Sequence, residues 1–244
     1  MKTNNAKLIA LLMLVSFACK DDDEATVPID NEEAAEMIAT SLSSESGGLT
    51  VAVADAASNT TENGGGRKAT CGYTESMDAS RSNPTGSSVI YNYTFHYDYA
   101  LNCTNALPTE MVVNLTYSGS LDAPRISTQN SGTGNLSVKA LDYTYENYSI
   151  TGSYDRTGSF VSKVRDKNTS NSTLDFTLTD VTVDKSTRQI TGGTATVTIT
   201  GSVTGKGTFT FTGSLVFEGD QSATLDLNGT NYSIDLETGL VAAI

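Results

Sequence analysis

The sequence predicts an all-β protein: a long antiparallel meander, strongly curled or barrel-like, with one short N-terminal helix. Three observations lead there. From about Arg67 to the end, apolar and polar residues alternate with period 2, the pattern of strands with one buried face. Turn-forming residues punctuate that alternation, and no stretch after Gly48 reads as a helix long enough to serve as a parallel crossover. Four strands carry a glycine in mid-run, in "YSGSLD", "ITGSYD", "ITGSVT" and "FTGSLV", where a missing side chain allows a sharp bend.

In chain order, five segments are expected: 1–18 a signal peptide, 19–29 an acidic tether, 30–48 a short helix, 49–66 a flexible loop segment and 67–244 the antiparallel β domain. Lys2 and Lys7 precede an apolar run from Leu8 to Val15, and Ser16-Phe17-Ala18 supply small residues at a cut, the three parts of an export signal. The run is too short to span a bilayer, which takes about 20 apolar residues.

The helix starts at Asp30, an N-cap with Glu33 three residues later; Ala34, Ile38 and Leu42 form its apolar stripe, and Gly47-Gly48 stop it. "SNTTENGGG" (58–66) reads as loop, and no Lys-Ser/Thr pair follows its glycines at the spacing of a phosphate cradle.

In the β domain, Tyr91, Tyr93, Phe95, Tyr97 and Tyr99 share one face of "YNYTFHYDY", and Asn92, Thr94, His96 and Asp98 share the other. Val113, Leu115, Tyr117 and Leu121 repeat the pattern, as do Ala195, Val197 and Ile199, and then Phe209, Phe211, Leu215 and Phe217. Around Leu178 to Val181 the phase slips by one residue, which predicts a bulge or a strand buried on both faces. Turns are expected at "DAPR" (122–125), "SGTG" (131–134), "DKNTSN" (166–171), "TGKG" (204–207) and "LNGTN" (227–231), where Asn228-Gly229 is the strongest hairpin signal.

With 38% hydrophobic and 18% charged residues, the composition is that of a globular chain rather than a disordered or spanning one. Cutting after residue 18 removes Lys2 and Lys7 from 15 basic side chains and none of the 28 acidic ones, leaving 13 against 28 and a formal balance of −15. Such a surface repels nucleic acid and anionic headgroups. Cys71 and Cys103 form the pair that remains if Cys19 is modified; in an exported chain they read as one disulfide, against the alternative of two buried thiols.

Catalytic chemistry is sparse. His96 is the sole histidine, and Asp98 is its same-face neighbour. No second histidine or local cysteine pair offers a metal site, no Gly-x-Ser-x-Gly elbow occurs, and "TGKGT" lacks the Walker spacing. His96 is therefore read as a surface residue, and no cofactor is expected. The aromatic row is read as core, with a stacking face for a sugar or an apolar ligand as the alternative.

"SFACKDDDE" (16–24) resembles a bacterial lipoprotein signal: Ala18 precedes Cys19 as that family requires, although Ser16 stands where a leucine is usual. Lys20 followed by Asp21, Asp22, Asp23 and Glu24 resembles the surface-export signal of Bacteroidetes lipoproteins. The resemblance covers residues 1 to 24. It implies that Cys19 is acylated, and that the chain is an outer-membrane lipoprotein facing the cell exterior, or the periplasm if the acidic run is no address. Each buried methylene of such an anchor contributes about 0.8 kcal/mol.

Three functional classes follow. The first is a non-enzymatic anchored protein that binds or scaffolds a glycan, an apolar molecule or a partner protein. The second is a lipocalin-like carrier holding an apolar ligand in a curled sheet, and the third and weakest is a hydrolase. A cavity of some hundreds of cubic ångströms would favour a carrier over a closed core.

Overall fold

The computed structural model describes residues 28–64, 70–83, 86 and 88–244. Two helices, α1 (Asn31–Leu42) and α2 (Leu49–Asn59), precede eleven strands: β1 (Thr74–Ser82), β2 (Ile90–Thr104), β3 (Leu107–Asp122), β4 (Ile126–Lys139), β5 (Asn147–Ser162), β6 (Thr169–Asp184), β7 (Ile190–Val203), β8 (Gly207–Gly219), β9 (Ser222–Leu227), β10 (Thr230–Asp235) and β11 (Val241–Ala243). The strands form one antiparallel sheet in sequence order, and among the described residues no ladder joins β1 to β11. The expected meander is present. It is an open sheet.

Alternation decides which face is covered. In β2, Tyr93, Phe95, Tyr97 and Tyr99 are at most 2% exposed, while His96 and Asp98 on the opposite face are open to solvent. The strands from β2 to β10 repeat this, and their buried residues join those of both helices in one core. The helices lie across that covered face. Strands β4 and β5 pack against α2, and β7, β9, β10 and β11 pack against α1.

The helical region differs from expectation. Asp30 does cap α1, its side chain accepting from the Glu33 amide at 2.7 Å, and Ala34, Ile38 and Leu42 are fully buried. Beyond Leu42, however, a 3₁₀ turn (Ser44–Ser46) and Gly47 in the left-handed region (φ 64°) reverse the chain, and α2 begins at Leu49 within the segment expected to be a flexible loop. Leu49, Ala52, Val53 and Ala56 are all buried, at the i, i+3, i+4, i+7 spacing of one helix face. A π-helical turn carries the chain on through Thr60–Gly64.

Of the expected turns, 122–125 and 204–207 join β3 to β4 and β7 to β8, and Asn228 (φ 54°) with Gly229 (φ 79°) makes the β9–β10 turn with both residues in the left-handed region. The turn expected at 166–171 lies slightly earlier, because Thr169 already begins β6. "SGTG" is no turn. Gly132 and Gly134 stand in mid-β4 beneath Tyr117 and Leu115: a Cβ on Gly132 would lie 2.6 Å from the Tyr117 hydroxyl oxygen. Gly119 and Gly201 likewise leave room for the rings of Tyr93 and Phe209. The phase slip in β6 is a bulge: Leu178 and Val181 are both buried, Asp180 has φ 46°, and the register against β7 shifts between Thr179 and Thr182.

Cys71 and Cys103 are bridged, with Cα atoms 5.8 Å apart, which ties the segment before β1 to the end of β2. Among the described residues no helix is long and apolar enough to cross a membrane.

Candidate functional site

The polar side of α1 carries Glu32, Glu36, Thr40 and Ser43 at intervals of four, four and three residues, one continuous stripe opposite the apolar one. An isolated amphipathic helix would turn this stripe to water. Here it floors a cleft of about 520 Å³. One wall is the β3–β4 corner, with Leu121, Ala123, Pro124 and Ile126, continued by Val89 ahead of β2; the other is the β10–β11 turn, with Thr238 to Val241. Glu45 and Ser46 close the end next to the 3₁₀ turn.

Both walls are fastened to the floor. The Ser44 and Glu45 amides donate to the Leu236 and Glu237 carbonyls, each at 2.9 Å, holding the chain after β10 against the helical turn. From the other side, Arg125 donates to Glu36 through Nη2 at 2.7 Å and Nε at 3.2 Å. Arg165, from the β5–β6 connection, donates to the same carboxylate at 2.8 and 3.2 Å and pairs with Glu32 at 2.6 Å. Burial alone would raise the Glu36 pKa, but the hydrogen bonds from Arg165 and Arg125 outweigh it and hold the carboxyl below its usual range. Glu45 has no ion-pair partner among the described residues. The cleft therefore joins apolar walls to a polar floor, in which Glu32 and Glu36 are paired with Arg125 and Arg165, and to the carboxylate of Glu45 at its end. It suits a ligand with an apolar body and a hydroxyl- or amine-bearing end.

The aromatic row expected as core or ligand face is core. Tyr93, Phe95, Tyr97 and Tyr99 are buried, Tyr91 is half-buried, and neighbouring centroids lie 5.8 to 6.5 Å apart. The Tyr97 hydroxyl donates to Asp55 of α2 at 2.8 Å. With α2 present the row has a helix to pack on, so no ligand face remains there.

His96 lies on the uncovered face, opposite Asp78 in the β1–β2 register, with Ser76 opposite Asp98. Its Nδ1 is 2.7 Å from Asp78 and its Nε2 is 3.3 Å from the Ser76 hydroxyl, the connectivity of a Ser-His-Asp triad. Three features separate it from one. The Ser76 hydroxyl donates to Asp98 at 2.7 Å, so its proton is committed away from the imidazole. The hydrogen bond to Asp78 raises the His96 pKa and favours the imidazolium, which cannot take a proton. Asp78 is 86% exposed, so water competes for the contact that would orient the ring. Among the described residues no group of three or more His, Cys, Asp or Glu is placed to hold a metal ion.

Cys19 and the run from Lys20 to Glu24 lie outside the described residues. Sequence reasoning missed the cleft and its residues. The polar stripe of α1 was a visible signal, but the walls arrive from positions some 90 and 200 residues later. No family model, no curated protein and no solved structure matches the chain.

Proposed function

We propose that the chain is a lipid-anchored protein of the outer membrane, facing the cell exterior, whose β domain binds a small amphipathic molecule without chemical conversion. The observation that carries this reading is the cleft along α1, about 520 Å³ in volume, with Leu121, Ala123, Ile126 and Val241 above a glutamate floor. Its size is within the usual range for small-molecule sites.

The sequence supplies the anchor: Cys19 receives the lipid and Lys20-Asp21-Asp22-Asp23-Glu24 the outward address. From Cys19 to Ile29 the chain spans at most about 36 Å when extended, so α1 and its cleft stay within reach of the membrane surface. A ligand drawn from or delivered to that surface needs no long diffusion. This places the protein near the lipocalin-like carriers in behaviour, and we take the sheet to curl about the helix pair as a half-barrel. Contacts of α2 with β4 and β5 and of α1 with β7 and β9 to β11 support that curl. The exposure of Ser76, His96 and Asp78 argues against the hydrolase alternative.

The test is a titration of the soluble domain, expressed without residues 1–19, with N-phenyl-1-naphthylamine, an apolar amine that fluoresces on leaving water. Saturable enhancement that is lost in Ala123→Arg, at the cleft wall, and kept in Thr210→Arg, on the uncovered sheet face, supports the reading. Equal enhancement in all three proteins contradicts it.

A further inference from the structure

Arg156 projects from β5 into the interface between the sheet and α1 and is 2% exposed. Its Nη1 donates to the Thr40 carbonyl at 3.0 Å, its Nη2 donates to the Tyr93 hydroxyl, and its guanidinium carbon lies 5.4 Å from the Tyr93 ring centroid. Its hydrogen-bond partners are a carbonyl and a phenol, both uncharged acceptors, and among the described residues the groups that act on its charge are Tyr93, Tyr117 and Tyr154 rather than a carboxylate. Burial pushes Tyr154 up to about 12 and Tyr117 higher still, so neither phenol supplies a negative charge at neutral pH. A cation taken out of water without an opposing charge carries a cost of several kcal/mol, about the stability of a small domain.

Beside the guanidinium is a small half-open chamber of about 20 Å³, lined by Arg156, Thr40, Ser41, Thr128, Asn130 and Ser172 together with the apolar Met37, Phe160 and Leu174. That volume accepts one particle of about the size of a water molecule. Thr40 and Ser41 spend their protons on the Glu36 and Met37 carbonyls. Asn130 is informative: its Nδ2 donates to Thr128 Oγ1 at 3.0 Å, while its Oδ1 is buried with no partner among the described residues. Turned by half a rotation, the same amide accepts the Thr128 hydroxyl proton on Oδ1 and leaves Nδ2 as a buried donor beside the chamber that Asn130 lines. The unpartnered amide end of Asn130 and the charge of Arg156, whose own donors reach only neutral acceptors, are then both met by one acceptor seated between them.

We propose that this chamber is a site for a single monatomic anion, chloride in an ordinary saline medium, held by the Arg156 guanidinium and the Asn130 amide. The charge argument selects an anion over water, and the volume excludes phosphate and carboxylates. The ion locks α1 to β4, β5 and β6, in a chamber that shares only Thr40 with the lining of the cleft.

The test uses the soluble domain and two measurements. Melting temperature is followed from sodium gluconate into sodium chloride at constant ionic strength, and crystals grown in sodium bromide are examined for an anomalous peak. The proposal expects a saturable rise with chloride and a bromide peak against Arg156. The rise is absent in Arg156→Met and also in Asn130→Asp, where the new carboxylate replaces the ion; the second variant keeps the guanidinium and so remains informative if the first does not fold. Identical melting curves in the two salts, or a chamber holding only water in the bromide crystals, would overturn it.

Discussion

Arg125 and Glu36, 89 residues apart in the chain, are joined by two hydrogen bonds of 2.7 and 3.2 Å that fix the β3–β4 corner against α1. Arg165 completes the clamp from the β5–β6 connection at 2.8 Å.

Removing the shared acceptor takes from Arg125 its carboxylate partner and leaves Arg165 with Glu32 alone. Glu36→Ala should destabilise the domain by about 1–3 kcal/mol, a range that discounts for the 52% exposure of Arg125. Because the folded pKa of Glu36 is lowered, its contribution is full above the unfolded carboxylate value and is lost as pH falls through the folded one. Urea unfolding of wild type and Glu36→Gln at neutral and acid pH should therefore show a gap that narrows on acidification.

His96 gives the opposite sign. Its pKa is raised by the hydrogen bond to Asp78, so its ion pair stabilises the fold below the unfolded histidine value and ceases to do so as pH rises through the folded one. An NMR titration of the imidazole should place its midpoint above the usual 6.5, and Asp78→Asn should bring it down. His96→Ala should leave ligand binding unchanged; a hundredfold loss of some turnover would restore the hydrolase reading.

At Gly132 an added Cβ would lie 1.9 Å from the Asp155 carbonyl oxygen and 2.6 Å from the Tyr117 hydroxyl oxygen, both held in place. Gly132→Ala should cost about 1–3 kcal/mol or more by overpacking. Gly192→Ala, whose nearest neighbour is the Thr182 hydroxyl at 3.1 Å, should cost less in the same thermal melts.

Replacing Cys71 and Cys103 together by serine opens a loop of 32 residues, which the chain-entropy relation values at about 3–4 kcal/mol. Peptide mapping of protein secreted by living cells should find the two residues linked; two free thiols would contradict the bridge.

Period-2 alternation made β2, β3, β7 and β8 legible, because a strand with one covered face cannot hide which face that is. The hairpin at Asn228-Gly229 was legible for a local reason, two residues that tolerate positive φ. "SGTG" misled because glycine marks both turns and places where a ring passes over a strand, and only the Tyr117 contact tells them apart. Leu49, Ala52, Val53 and Ala56 carried a helical signal, obscured by Gly47-Gly48 before it and the asparagine- and glycine-rich run after it. β1 is almost wholly exposed, so its residues lack the alternation that would have placed Ser76 and Asp78 beside His96. The cleft was hidden for a different reason: the register of distant hairpin ends decides what stands over a helix.

Cys19→Ala should abolish palmitate labelling and leave either precursor or a soluble form, since the apolar segment is too short to hold the chain in a bilayer. Alanine in place of Asp21 to Glu24 should keep the label but shield the protein from protease added to intact cells. A wild type that labels and yet resists shaving would place the domain in the periplasm.

Native mass spectrometry of the full chain, taken from its own cells, tests the binding claim most directly. The account predicts a copurifying molecule of a few hundred daltons, retained in Thr210→Arg and missing in Ala123→Arg. A bare protein mass in all three, with the fold intact by circular dichroism, would contradict it.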